Sequence, residues 1–145
     1  MPSLRNATEC AAIVARLDRL SPDAQPRWGR MTAPKMLAHI VDAYRMAIGE
    51  LPVRRKHVPL LSMFPFKQLV IYVLPFPKNA PTAPEIVARV PDDFEVERAT
   101  VKALIARLTH HVDYAEHPIF GTLSPTEWSA LGYKHLDHHL RQFGA

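Results

Sequence analysis

Apolar residues recur at helical spacing in four long stretches of the chain, and the alternation that marks strands is scarce. The first stretch predicts a helix over Ala7–Leu20. Asn6 can cap it, Glu9 follows three residues on, and Cys10, Ile13, Val14 and Leu17 share its inward face. The second predicts a helix over Ala33–Gly49. Thr32 serves as N-cap and Pro34 sits in the first turn, with an apolar stripe of Met36, Ile40, Ala43, Tyr44 and Ala47. A third begins near Asp92, a capping candidate with Glu95. It runs through Phe94, Val101, Leu104, Ile105 and Leu108 to His110 and His111, whose imidazoles can complement the helix C-terminus. The last is the best marked: Ser124-Pro125-Thr126-Glu127 is a capping box with proline at the first helical position, followed by helix to Phe143 and a stop at Gly144.

Between the second and third stretches lies an apolar run, Val58–Phe76. Lys67 and Gln68 interrupt it and Pro59 and Pro65 precede them, so no membrane span is expected. It predicts a short buried or interface helix over Phe66–Leu74, with core packing preferred to a subunit contact. Pro75–Pro91 carries five prolines and reads as an irregular connector. The whole pattern predicts one all-α domain over residues 1–145: a four-helix bundle with an additional short helix between its second and third core helices.

Composition adds a few limits. The 48% hydrophobic content supports a core without covalent staples, and the single cysteine, Cys10, excludes an internal disulfide. Met1–Glu9 has no apolar stretch of the signal-peptide kind, so a cytoplasmic protein is expected. The five glycines form no phosphate-cradling loop. The net charge of +4 is spread along the chain. Its tightest basic run, Arg54-Arg55-Lys56 followed by His57, reads as a solvated loop, and a nucleic-acid partner would rest on charge alone.

Histidine placement changes the picture. With 100° per residue on the last helix, Trp128, His135 and His139 fall within about 40° of one another. Leu131 and Gln142 flank one side, and Leu136 and Phe143 the other. Lys134, Asp137 and Arg141 lie opposite, toward solvent, and His138 lies at the edge of the buried arc. Imidazoles inside an apolar arc need polar partners, or they lose about 1–3 kcal/mol each. Hydrogen bonds within the core or at its rim would supply partners. So would a shared metal, because the His-x-x-x-His spacing brings two ring nitrogens within reach of one ion. His39, at the side of the second stripe, is a third histidine near the same core. Three histidines from two helices would leave a coordination position open for water or substrate.

Trp28–His39 (WGRMTAPKMLAH), Pro75–Glu85 (PFPKNAPTAPE) and His117–Gly144 (HPIFGTLSPTEWSALGYKHLDHHLRQFG) strongly resemble an uncharacterised branch of the DinB-like superfamily. Its relatives include the YfiT-type metal-dependent hydrolases and the bacillithiol and mycothiol transferases. The resemblance covers nearly the whole chain and is weakest over Val53–Val73. It implies a bundle of up-down-down-up order and a divalent ion, zinc or nickel, held by His39, His135 and His139, with His138 as a secondary candidate. It also implies a small-molecule substrate handled by a small-thiol-dependent S-transferase or a hydrolase, with a low-molecular-weight thiol as cosubstrate in the first case. Asp42, one turn from His39, is the candidate catalytic residue, as general base or as partner of a ligating imidazole; a salt bridge to Arg45 or Lys35 competes with that role. Tyr44 and Trp128 are expected as core aromatics, and His117 as a structural residue in the loop before the last helix. The rival reading is a non-catalytic, stress-related metal-binding bundle, dimeric through Phe64–Phe76.

Overall fold

The computed structural model describes residues 1–56 and 58–145; His57, the end of the basic run, lies outside the described residues. Four long helices carry the fold: α1 (Ala7–Asp18), α2 (Ala33–Ala47), α4 (Phe94–Leu108) and α5 (Pro125–Gln142). The additional short helix is present as α3 (Phe66–Gln68), which runs straight into a π-type turn over Leu69–Val73. Two 3-10 turns, Pro59–Ser62 and Pro84–Ile86, punctuate the connectors. There is no strand among the described residues; one antiparallel bridge joins His117 and Gly121.

Each long helix begins where a side chain can accept a free N-terminal N–H. The Asn6 carbonyl oxygen accepts from the Glu9 N–H at 3.0 Å, and the Thr32 hydroxyl from Lys35 at 3.3 Å. Ser124 and Glu127 form the reciprocal box expected of them, at 3.2 and 2.8 Å. α4 differs: Asp93, not Asp92, is its cap, accepting from the Glu95 N–H at 2.9 Å, while the Asp92 N–H donates to Glu97 at 2.8 Å. The C-terminal carbonyls of α1 are met from another helix, since the Arg98 guanidinium of α4 donates to Asp18 and Leu20. That hold replaces the last turn expected through Leu20.

The main helix contacts close a ring in which α2 packs on α4, α4 on α1, α1 on α5 and α5 on α2. Successive long helices α1 and α2 therefore lie across the bundle from each other, as do α4 and α5. The predicted stripes fill the interior: Ile13, Leu17, Met36, Ile40, Val101, Leu104, Ile105 and Leu136 are buried, and Leu4 of the N-terminal segment joins them. Gly132 marks a close approach of α2 to α5, where the Tyr44 hydroxyl donates to its carbonyl at 2.9 Å and a Cβ would lie 3.1 Å from Leu4.

Two expectations on helix faces are corrected. Asp137 is half-buried, because Arg16 of α1 pairs with it at 2.6 Å across the α1–α5 seam. Lys134 does not face solvent; its ammonium caps the carbonyls of Val70, Ile71 and Leu74 at the end of the π-type turn. At the other end of that segment, Lys67 and Gln68 reach Glu127 at 3.2 and 3.0 Å. Phe66–Leu74 is thus strapped along α5 from both ends. It is not core: of Leu69–Val73 only Ile71 is buried, and Phe64 and Val73 are 80% and 68% exposed. Ile71 anchors it in the core, and polar contacts from α5 at both ends hold the rest in place.

The connector Pro75–Pro91 contributes one further tie. Arg89 lies between α2 and α4, donating to Asp42 at 3.2 and 3.3 Å and to Glu97 at 2.5 and 3.0 Å. Asp42 and Glu97 are 4% and 2% exposed, so Arg89 is the charge that lets two carboxylates sit inside the α2–α4 contact. Removing one partner of such a group leaves buried charge uncompensated. Arg89→Ala should lower stability in urea unfolding by about 3–5 kcal/mol, and adding Asp42→Asn and Glu97→Gln should recover part of it.

Candidate metal centre

Three imidazoles meet where α5 passes α2. α2 supplies His39, which is buried; α5 supplies His135 and His139, one turn apart. The ring centroids of the three pairs are 4.8, 4.9 and 4.9 Å apart, a nearly equilateral triangle. One ligand-type nitrogen from each ring lies within 4.8 Å of the others, so the group can hold a metal ion.

The hydrogen bonds set the tautomers. His39 Nδ1 lies 2.9 Å from the Ile86 carbonyl, which only accepts, so Nδ1 carries the proton and Nε2 keeps its lone pair. The Gln142 amide Nε2 donates to the Trp28 carbonyl at 2.9 Å, which turns Oε1 toward His139 Nδ1 at 2.8 Å. His139 Nδ1 is therefore the donor, and its Nε2 is also left with a lone pair. His39 Nε2 faces His135 Nε2 at 2.9 Å, so in the metal-free cluster His135 donates there. A cation would take the place of that single proton. Two of the three rings are thus held in the ligating tautomer by outer partners, as at metal-binding histidines.

The cluster is also uncharged. Burial lowers the pKa of His39, where the Ile86 carbonyl and Asp42 pull weakly the other way. Burial and then the neighbouring imidazoles carry His135 well below the ordinary histidine value. The same causes bring His139 down to about 3. Neutral imidazole is the form that ligates a metal.

His135 and His139 are half-buried because they border a cavity of about 870 Å³. Trp28, Met46, Phe76, Phe120 and Leu131 give it an apolar wall. His138 stands on the same wall between Trp28 and Phe76, with ring centroids at 5.5 and 5.8 Å, and His117 also lines the cavity. Phe76 is placed there by the strapped segment before it, and the Lys134 ammonium that caps that segment lies 4.7 Å from the Phe76 ring.

Asp42 does not reach this cavity wall. Its carboxylate is taken by Arg89, with Arg45 at 3.8 Å, and the partner of His39 Nδ1 is the Ile86 carbonyl. The competing Arg45 contact is present, but Lys35 is not its partner among the described residues. Tyr44 and Trp128 are buried aromatics, as expected, and both also line the cavity. His117 fixes the loop before α5: its Nδ1 accepts from the Ile119 and Phe120 N–H groups at 3.1 and 3.2 Å, and Gly121, at φ +70°, turns the chain back. The sequence pattern missed Ile86, Gln142 and Trp28 as supports; the i, i+3 spacing of His139 and Gln142 was the one available sign.

A family model described as the DinB superfamily matches residues 5–143. Nothing matches among curated proteins or among solved structures. No helix is long and apolar enough to cross a membrane among the described residues.

Burial brings the His117 pKa from 6.5 down to about 4. A group depressed on folding stabilises the protein above its unfolded value, and that contribution fades as pH falls toward the folded value. The midpoint of thermal unfolding should therefore fall between pH 6.5 and 4. His117→Asn, whose side-chain oxygen can still accept the two loop N–H groups, should flatten that part of the fall.

Proposed function

The chain belongs to the DinB superfamily, and on that footing we propose that it is a divalent-metal-dependent enzyme acting on a small molecule. His39, His135 and His139 are the proposed ligands, and all three line the cavity, so an ion they held would be reached from it. The observation that carries this reading is the convergence of three neutral imidazoles whose outer nitrogens, at His39 and His139, are committed to Ile86 and Gln142. The donor set is three imidazoles with no thiolate, which suits zinc or nickel.

When bound, such an ion lowers the pKa of a ligated thiol or water, so both a transfer from a low-molecular-weight thiol and a hydrolysis fit the site. The chain's own part is to hold the three rings, to exclude bulk water with Trp28, Phe76 and Phe120, and to keep the rings uncharged by burial. His138 is placed to contact a molecule in the cavity. Asp42, held by Arg89, acts through the packing of α2 rather than at the reacting atoms. Family membership also supports the up-down-down-up course of the long helices, and the long connector 48–93 is the kind of crossover that such an order requires.

A second reading concerns assembly. The exposed apolar side chains of Leu60, Met63, Phe64 and Val73 favour a homodimer formed across that face. Sedimentation should show a concentration-dependent dimer that Phe64→Lys returns to monomer; a wild-type chain monomeric at high concentration would remove this reading.

Elemental analysis of protein grown with zinc and nickel available should find about one divalent ion per chain, lost in His135→Ala and in His139→Ala. Gln142→Leu should keep the ligands but weaken metal affinity about 10–100-fold, because the ring of His139 loses its orienting acceptor. Wild-type protein that neither retains nor takes up a divalent ion would sink the proposal. Turnover of a panel of thiols, electrophiles and esters by the metal-loaded protein then separates transfer from hydrolysis.

A further inference from the structure

We infer that the cavity beside the imidazole cluster takes a small organic anion, with an apolar body against the aromatic wall and a carboxylate or phosphate group held by Arg30, Arg54 and Lys56. This deepens the reading of the cavity as a substrate site and rests on it.

The basic run that looked like a solvated loop lies across the cavity mouth. Two backbone bonds pin it there: the Arg54 N–H donates to Glu85 at 3.1 Å, and the Lys56 N–H to the Pro118 carbonyl at 2.8 Å. Arg54 and Lys56 line the cavity, while Arg55 does not and pairs with Glu116 at 2.9 Å. Arg30 reaches the same cavity from a different connector, two residues beyond Trp28, whose carbonyl orients Gln142. Two of the cations come from chain segments that support the cluster: Glu85, which holds the Arg54 N–H, precedes Ile86, and Arg30 lies two residues after Trp28.

Their charge is unbalanced. None of Arg30, Arg54 and Lys56 forms an ion pair among the described residues. Among the described residues Glu85 is the one carboxylate on the cavity lining; main-chain N–H groups of its own residue and of Arg54 lower its pKa, and so does the Arg54 charge, which leaves three cations against one carboxylate. Cations of one sign at the mouth of an apolar cleft focus field inward and draw anions. The volume of about 870 Å³ suits a small molecule and not a polymer strand. A neutral ligand would gain nothing from the three exposed cations, and a cationic one would be repelled.

The test is a chemical-shift titration of the full-length protein, as isolated and after zinc loading, with hexanoate, hexyl phosphate, hexanol and hexylammonium. Hexanoate or hexyl phosphate should bind about tenfold or more tightly than hexanol, with the stronger of the two naming the anionic group. Hexylammonium should bind least. An ion in the cluster would itself attract anions, so the deciding comparison is the metal-free protein, in which the preference should shrink at high ionic strength and vanish in R30Q/R54Q/K56Q, whose changed side chains are exposed and outside the core. Equal binding of hexanol and both anions at low salt would overturn the inference, as would a preference that survives the triple substitution. The metal reading fails separately: His39→Ala should abolish metal uptake and leave the anion preference in place.

Discussion

Three imidazoles with ring centroids less than 5 Å apart, largely withdrawn from water, favour the uncharged form of each. Two protonated rings at that distance in a poorly solvated setting would repel strongly, and a single one would lose most of its hydration. The bundle meets this condition by burial, which drives all three pKa values down. The rest of the local structure follows from it. Neutral rings each have one donor and one acceptor, and their outer donors must go somewhere. The Ile86 carbonyl and the Gln142 amide receive two of them, and the Trp28 carbonyl fixes which way that amide turns. Connector and helix are thereby tied to the same small cluster.

The sequence was informative where periodicity acts and silent where the chain folds back on itself. The inward pointing of His135 and His139 follows from their one-turn spacing, and His39 from its place beside an apolar stripe. The caps at Asn6, Thr32 and Ser124 were legible for the same reason, as local contacts between residues three apart. Ile86 was not legible, because its contribution is a backbone carbonyl that any residue offers. Gln142 was readable only as a flanking residue, since its partner at Trp28 is 114 positions away.

Asp42 shows how an adjacency on a helix misleads. It lies one turn from His39, so a hydrogen bond between the two was a fair expectation. The carboxylate instead meets a guanidinium from a connector that looked irregular and contributed no visible element. The same error of reading governs Phe66–Leu74. Its apolar run suggested a buried helix, but its order comes from polar groups of α5, Glu127 at one end and Lys134 at the other. In both cases an element was assigned to its own composition when a distant side chain decided its place. The proline-rich stretch, read as an irregular connector, supplies the Phe76 wall, the Ile86 acceptor and the Arg89 cation.

The ring order of the helices has a consequence for how this protein comes to exist. Because α1 and α2 lie across the bundle from each other, no early helical hairpin can form between them, and each neighbouring pair must close over a long intervening loop. His39 and His135 are 96 positions apart, so a growing chain cannot bring them together until α5 has been made. The imidazole triangle is therefore a seal on completed topology. A chain that has collapsed with helices misplaced around the ring has no site at all, and anything that binds the finished triangle selects, from all compact forms, the one that closed correctly.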